Sequence, residues 1–183
     1  DTLTAQSSVH SLQFQTDYQY TDSPVATSLE PIAERSNLYT TWVNDFLDEA
    51  GANTFDGISD DMRKFNDTQR REQGTNWAFT IFVVNDENDA DGMFAEGGSF
   101  RRAFAFSGGR YLVVPAGRPA SSIAHEMGHI FWARDEYSGA GSYLQKRGYY
   151  DAQNLNASNN PEVGFSQQDS IMASGTLLAN AYA

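Results

Sequence analysis

The sequence predicts an α+β fold, with a sheet packed on one motif-bearing helix and an irregular C-terminal part. Three observations carry this. Apolar residues recur at helical spacing in 28–50, near 58–74 and after 120. Strand-like runs lie at 77–84, 100–106 and 111–114. Beyond residue 133, Gly, Asn, Ser and Tyr dominate and neither period persists.

The elements follow in order. Val9 to Phe14 alternates loosely and reads as a strand. Leu38, Trp42, Val43, Phe46 and Leu47 make one face of a helix that Gly51 stops. Ile58, Met62 and Phe65 begin a second helix that ends near Gly74. Trp77 to Val84 is apolar and β-branched, as a buried strand would be. An Asp-rich loop runs from Asn85 to Gly98. Phe100 to Phe106 alternates and reads as an edge strand with Phe100, Arg102, Phe104 and Phe106 on one side. Ser107-Gly108-Gly109-Arg110 signals a hairpin turn, and Tyr111 to Val114 returns as a strand. Pro119, Ser121 and Ser122 then suit the start of a helix, the serines as N-caps. After that helix the composition predicts mostly irregular chain with at most one short helix.

The chain has 183 residues, enough for one domain with a sizeable core. Its net charge of -12 argues against nucleic acid and anionic membranes as partners. With no cysteine, disulfides, Cys-based zinc sites and a Cys nucleophile are excluded within the chain. No apolar run is long enough to span a membrane. An acidic, cysteine-free chain fits secretion, more naturally from a bacterium.

His125-Glu126-Met127-Gly128-His129 is the motif H-E-x-x-H. On a helix, positions i and i+4 share a face, so His125 and His129 can offer two imidazole nitrogens to one metal ion. Glu126 is placed beside them to act on a water at that ion. Two neutral His ligands, a third ligand and an open position make the zinc-hydrolase arrangement. Gly128 lets another element approach the helix closely. The third histidine, His10, lies in the N-terminal strand and reads as structural. Better third ligands follow the motif directly, namely Asp135 and Glu136.

At this point the chain resembles the metzincin metallopeptidases, whose motif is H-E-x-x-H-x-x-G-x-x-H/D followed by a methionine turn. His125, Glu126 and His129 match, Asp135 falls at the third-ligand place, and Ser170-Ile171-Met172 looks like the turn. Asp135-Glu136-Tyr137 is also similar to bacterial metallopeptidases of the immunoglobulin-A-protease type. The likeness covers roughly 77–175. It implies a zincin fold in one domain. Residues 1–133 would carry a twisted mixed sheet packed on the active-site helix, and 134–183 an irregular subdomain with Met172 in the turn. It implies a secreted, monomeric zinc endopeptidase acting on protein or peptide substrates, in which Glu126 takes a proton from water and passes it to the leaving amine. The strand at 100–106 would pair with an extended substrate, and Ala173-Ser174-Gly175 would wall the pocket. Tyr137 would stabilise the oxyanion or orient a ligand. One position departs: Trp132 stands where the family has glycine, and Trp tolerates positive φ poorly. Either the helix ends by another route, or Glu136 replaces Asp135 as ligand.

Glu87, Asp89 and Asp91 alternate before Gly92, the spacing by which carboxylates converge on Ca²⁺, though the twelfth position is Gly98 and not the Glu of an EF-hand. A solvated acidic loop is the other reading. Two other functions compete with the peptidase. A catalytically silent, metal-stabilised adhesion or binding module would not need Glu126. A zinc amidase on a non-protein substrate would.

Overall fold

The computed structural model describes residues 13–173 except Gly109 and Tyr149. The predicted strand at Val9–Phe14 and the structural role read for His10 therefore fall almost wholly outside the described residues; Gln13 and Phe14 belong to no strand.

A one-turn helix α1 (Gln19–Asp22) and two 3-10 turns (Pro31–Ala33 and Ser36–Leu38) lead into α2 (Tyr39–Glu49) and α3 (Ile58–Glu72). Then come β1 (Thr80–Val84), β2 (Phe104–Phe106), β3 (Tyr111–Pro115) and α4 (Ala120–Ile130). A two-residue ladder, β4 (Lys146–Arg147) with β5 (Ala152–Gln153), follows. The fold is thus mixed α+β. Between α4 and residue 173 no helix forms among the described residues, so the chain there is more irregular than composition alone allowed.

The main sheet has the order β1-β3-β2. β1 runs parallel to β3, Thr80 opposite Tyr111, and β2 runs antiparallel to it, Phe104 opposite Val113. The two-residue periodicity of β3 sorts its side chains between two layers. Tyr111 and Val113 join Trp42, Val43, Phe46, Leu47 and Met62 from α2 and α3. Leu112 and Val114 join Ile130 from α4, with Ile123 and Met127 packed alongside. Burying each such aliphatic side chain stabilises the fold by roughly 1.5–3 kcal/mol. The first layer is knitted by edge-to-face rings, Phe46 meeting Phe82 at 5.0 Å and 86° and Phe65 at 5.2 Å and 85°.

Two strand expectations change. β1 is a border strand of the described sheet, not a buried one: Ile81 and Val83 are 38% and 62% exposed. β3, flanked on both sides, is the strand that is buried throughout. In the 100–106 run only Phe104–Phe106 pairs; Phe100 to Ala103 approaches as a loop.

Helix ends obey one rule. After α2, Gly51 at φ 63° donates to Asp48 O and Ala52 to Leu47 O. After α3, Gly74 at φ 64° donates to Arg71 O and Thr75 to Arg70 O. Both are Schellman turns, in which a left-handed residue lets two amides satisfy carbonyls of the last helical turn. α3 also carries Asp60 and Asp61 in its first turn and Arg70 and Arg71 in its last, matching its dipole.

Candidate metal centre

Two anchors aim α4. Ala116 N donates to Val84 O at 2.8 Å, and Gly117 N donates to the Asp86 carboxylate at 3.1 and 3.0 Å. A Cβ at Gly117 would sit 2.9 Å from Asp86 Oδ2, so a larger residue here would push the carboxylate aside. The helix then starts after Pro119, whose ring presets the backbone. Ser121 and Ser122 lie inside the first turn, and no side chain caps the helix. With Ile123, Met127 and Ile130 seated on the sheet, His125, Glu126 and His129 line a cleft on the other side.

Each imidazole is oriented by a backbone carbonyl. His125 Nδ1 donates to Ile171 O at 3.0 Å and His129 Nδ1 to Ala133 O at 2.9 Å. With Nδ1 so engaged, the neutral ring carries its lone pair on Nε2. The two rings stand 4.9 Å apart at 89°.

The helix ends as α2 and α3 do, with a tryptophan in place of glycine. Trp132 takes φ 72° and donates to His129 O at 3.0 Å, and Ala133 N donates to Gly128 O at 2.9 Å. Trp132 thus adopts the positive φ that Trp tolerates poorly, and the helix does not end by another route. The indole is held by close neighbours: a Cβ at Gly108 would lie 3.1 Å from Trp132 Cζ2, and one at Gly148 would lie 3.4 Å from Trp132 Cβ. The Arg147 guanidinium carbon lies over the ring, 5.9 Å from its centroid.

The sharp turn returns the chain to the helix. Asp135 Oδ1 lies 3.1 Å from His125 Nε2 and 3.3 Å from His129 Nε2. These are the ligand atoms of a three-residue group, all within 4.8 Å of one another, that could hold a metal ion. Asp135 Oδ1 is buried and has no hydrogen-bond partner. Two imidazole lone pairs and a carboxylate oxygen are all acceptors, so their convergence needs a cation between them: protons or a metal. Without a metal the protons come to the histidines. The Asp135 carboxylate facing its Nε2 raises His125 against the cost of burial. At His129 burial opposes the charge, but Asp135 and the Ala133 carbonyl outweigh it and the imidazole is again raised. Burial works against the Asp135 charge too, yet the two histidines hold its carboxyl well below the carboxylate range.

Glu126 is 8% exposed, and burial pushes its carboxyl up while His129 and His125 pull it down. The cleft it lines is about 260 Å³ and open to solvent. Phe100, Phe104 and Ser107 wall it from the β2 side, Tyr137 and Arg147 from the other. The Tyr137 ring is 6.4 Å from His125. Burial and the charges of Asp135 and Glu126 raise its phenol, so it remains a donor at neutral pH.

Glu136 turns away from this group. Its Oε2 accepts from Asn156 Nδ2 at 2.6 Å and from Ser170 Oγ. Its amide donates to Met172 O at 3.0 Å, so it ties the 170–172 segment beneath the helix. Met172 is buried there, and a Cβ at Gly128 would meet its Sδ at 2.5 Å. Gly128 is thus the close-approach position that the motif suggested, with Met172 as the element that approaches. Of the expected Ala173-Ser174-Gly175 wall, Ser174 and Gly175 lie outside the described residues.

The acidic loop does not gather Glu87, Asp89 and Asp91 into such a group. Asp89 Oδ1 accepts from the amides of Asp91 and Gly92, and Asp91 is paired with Arg101 at 3.2 Å. Their alternation makes successive side-chain turns, so the calcium expectation is not met by converging carboxylates.

Sequence reasoning missed Arg147, the Ile171 and Ala133 carbonyls that set the histidine tautomers, and the Asn156–Ser170 clamp on Glu136. Nothing local in the sequence marks any of them. A comparison with protein-family models, curated proteins and solved structures found no match to this chain.

Proposed function

We propose that the protein is a zinc-dependent endopeptidase of the metzincin type. The observation that carries the reading is the orphaned Asp135 Oδ1, buried between two Nε2 lone pairs with Glu126 in the same cleft. The donor set fits zinc: two imidazoles and one carboxylate suit it, whereas Ca²⁺ and Mg²⁺ favour oxygen alone. When bound, zinc supplies the Lewis acidity that polarises a carbonyl and activates water.

The chain's own residues do the rest. His125 and His129, locked by their carbonyl acceptors, present Nε2 without rearrangement. Glu126, raised by burial, takes a proton from water at the cleft floor and delivers it to the leaving amine. Tyr137, still protonated, stands beside His125 to donate to a developing oxyanion. β2 is a border strand whose residues line the cleft, so an extended substrate adding to it would cross the site.

The test compares zinc-loaded wild type with Glu126→Gln on an unfolded casein-like substrate. The variant is expected to bind zinc normally and to cleave at least about a hundredfold more slowly. Equal rates would remove Glu126 from the chemistry. A zinc-loaded wild type inert on all peptides would remove the peptidase reading.

A further inference from the structure

Arg147 is the cleft residue that the chemistry above leaves unused. It stands on β4 and reaches the cleft wall while its guanidinium lies over the Trp132 ring. Among the described residues the ion-paired Lys and Arg are Arg63, Lys64, Arg70, Arg71, Arg101 and Lys146. Arg147 is not one of them, in a chain with twice as many acidic as basic residues (24 against 12). A second guanidinium stands beside it. Arg134 donates to Lys146 O at 3.1 Å, is itself without an ion pair, and has a buried Nε with no acceptor. Burial first, and Arg134 second, make the charge on Arg147 costlier to hold. Asp135 is a carboxylate whose charge reaches Arg147, but its Oδ1 is turned to the two histidines. An arginine placed over an aromatic ring, with no carboxylate paired to it, has N–H groups to offer a planar anion. A cation at the wall of a peptide-sized cleft, with a second guanidinium close enough to oppose its charge, is a standing electrostatic cost that an anionic ligand relieves.

We propose that Arg147, backed by Arg134, forms a carboxylate-binding subsite beside the metal centre, so that preferred substrates carry a carboxylate next to the bond that is cut. This deepens the peptidase reading and rests on it. The carboxylate is either an acidic side chain flanking the bond or the C-terminus of a short peptide. The Trp132 ring, set in its left-handed turn, lies beneath the guanidinium.

The test reads binding apart from turnover. Zinc-loaded Glu126→Gln protein is titrated with fluorescent peptides that differ only by Glu or Gln at each position around the bond, each with a free or amidated C-terminus. One carboxylate-bearing peptide should bind at least about tenfold tighter than its neutral twin. Adding Arg147→Ala should erase that difference, Arg147→Lys should restore part of it, and Arg147→Glu should favour a Lys-bearing peptide instead. The position that responds tells side chain from C-terminus. Equal binding of every pair, or a preference that survives Arg147→Ala in a protein of unchanged melting temperature, overturns the subsite. Zinc-loaded wild type is then tested for cleavage of the same peptides. Selective binding without cleavage leaves the subsite standing and sinks the peptidase reading.

Discussion

His125 and His129 commit Nδ1 to carbonyls and turn Nε2 toward one buried carboxylate oxygen. The pH behaviour follows with a definite sign. Both imidazoles are raised from their ordinary 6.5, so in the metal-free protein their ion pairs with Asp135 stabilise below that value and are lost as pH rises through the raised one. Asp135 is lowered from 3.8, so its share is present above 3.8 and lost as pH falls through its depressed value. The metal-free protein should draw most stability from this group between 3.8 and 6.5. Zinc must displace those protons, so its affinity should fall steeply as pH drops, beginning above 6.5. A chelator-competition titration across that range checks this; an affinity flat with pH would mean that the rings are not ligands. Asp135 and Glu136 separate at the same scale. Asp135→Ala should weaken zinc binding by more than the roughly 10–100-fold typical of outer-shell partners. Glu136→Ala should instead lower the melting temperature, because it frees Asn156 and Ser170 and loosens the segment beneath the helix. The opposite ranking would make Glu136 the ligand.

The turn after α4 is the element on which the site depends. Trp132 occupies the C-terminal position that Gly51 and Gly74 fill in the other helices. Trp132→Ala and Trp132→Gly both delete the indole, but only alanine retains a Cβ in a left-handed backbone. Alanine should therefore be the less stable of the two by about 1–2 kcal/mol in urea unfolding. Equal stabilities would show that the turn does not hold positive φ. Gly128 sets the spacing on the next face. Gly128→Ala brings a Cβ to 2.5 Å from Met172 Sδ, so either the methionine or the 170–172 segment must move. The overpacking should cost about 1–3 kcal/mol. It should also weaken zinc binding, because Ile171 O is the acceptor that orients His125.

At the scale of the molecule, the sheet separates two apolar layers and leaves the metal group at the margin of one of them. Leu112 and Val114 carry α4, while Tyr111 and Val113 carry α2 and α3. The C-terminal chain has few regular hydrogen bonds. It is fastened by polar side chains such as Asn154 on Asp135 O and Asn156 on Gln168 O. Two of the three metal-group residues are thus on a packed helix and one is on a polar loop. Zinc should stabilise by mass action, raising the melting temperature, with hydrogen-exchange protection gained mainly in 133–173. Millimolar calcium at constant zinc should add no comparable shift, since the acidic loop already satisfies Asp89 and Asp91 internally. A calcium shift as large as that from zinc would restore a cation site there.

The sequence by itself determined the helices and the motif face, because those depend on residues three and four apart. The helical spacing of Trp42, Val43, Phe46 and Leu47, the stops at Gly51 and Gly74, and the i, i+4 pair His125 and His129 are all local. Strand extent was less legible. Whether Trp77–Val84 is buried depends on which neighbours it has, and whether Phe100–Ala103 pairs depends on where β3 ends. Only the tertiary structure separates Asp135, beside the histidines, from Glu136, turned away from them. Both carboxylates follow the helix at plausible distance, and intrinsic preference alone argued against the turn that separates them. The fold holds Trp132 in a left-handed turn beside Gly108, Gly148 and Arg147, and that turn sends Asp135 to the histidines and Glu136 to Asn156. A preference of about a kilocalorie per mole is overruled by contacts from residues distant in the chain, and those contacts are not written in any local window.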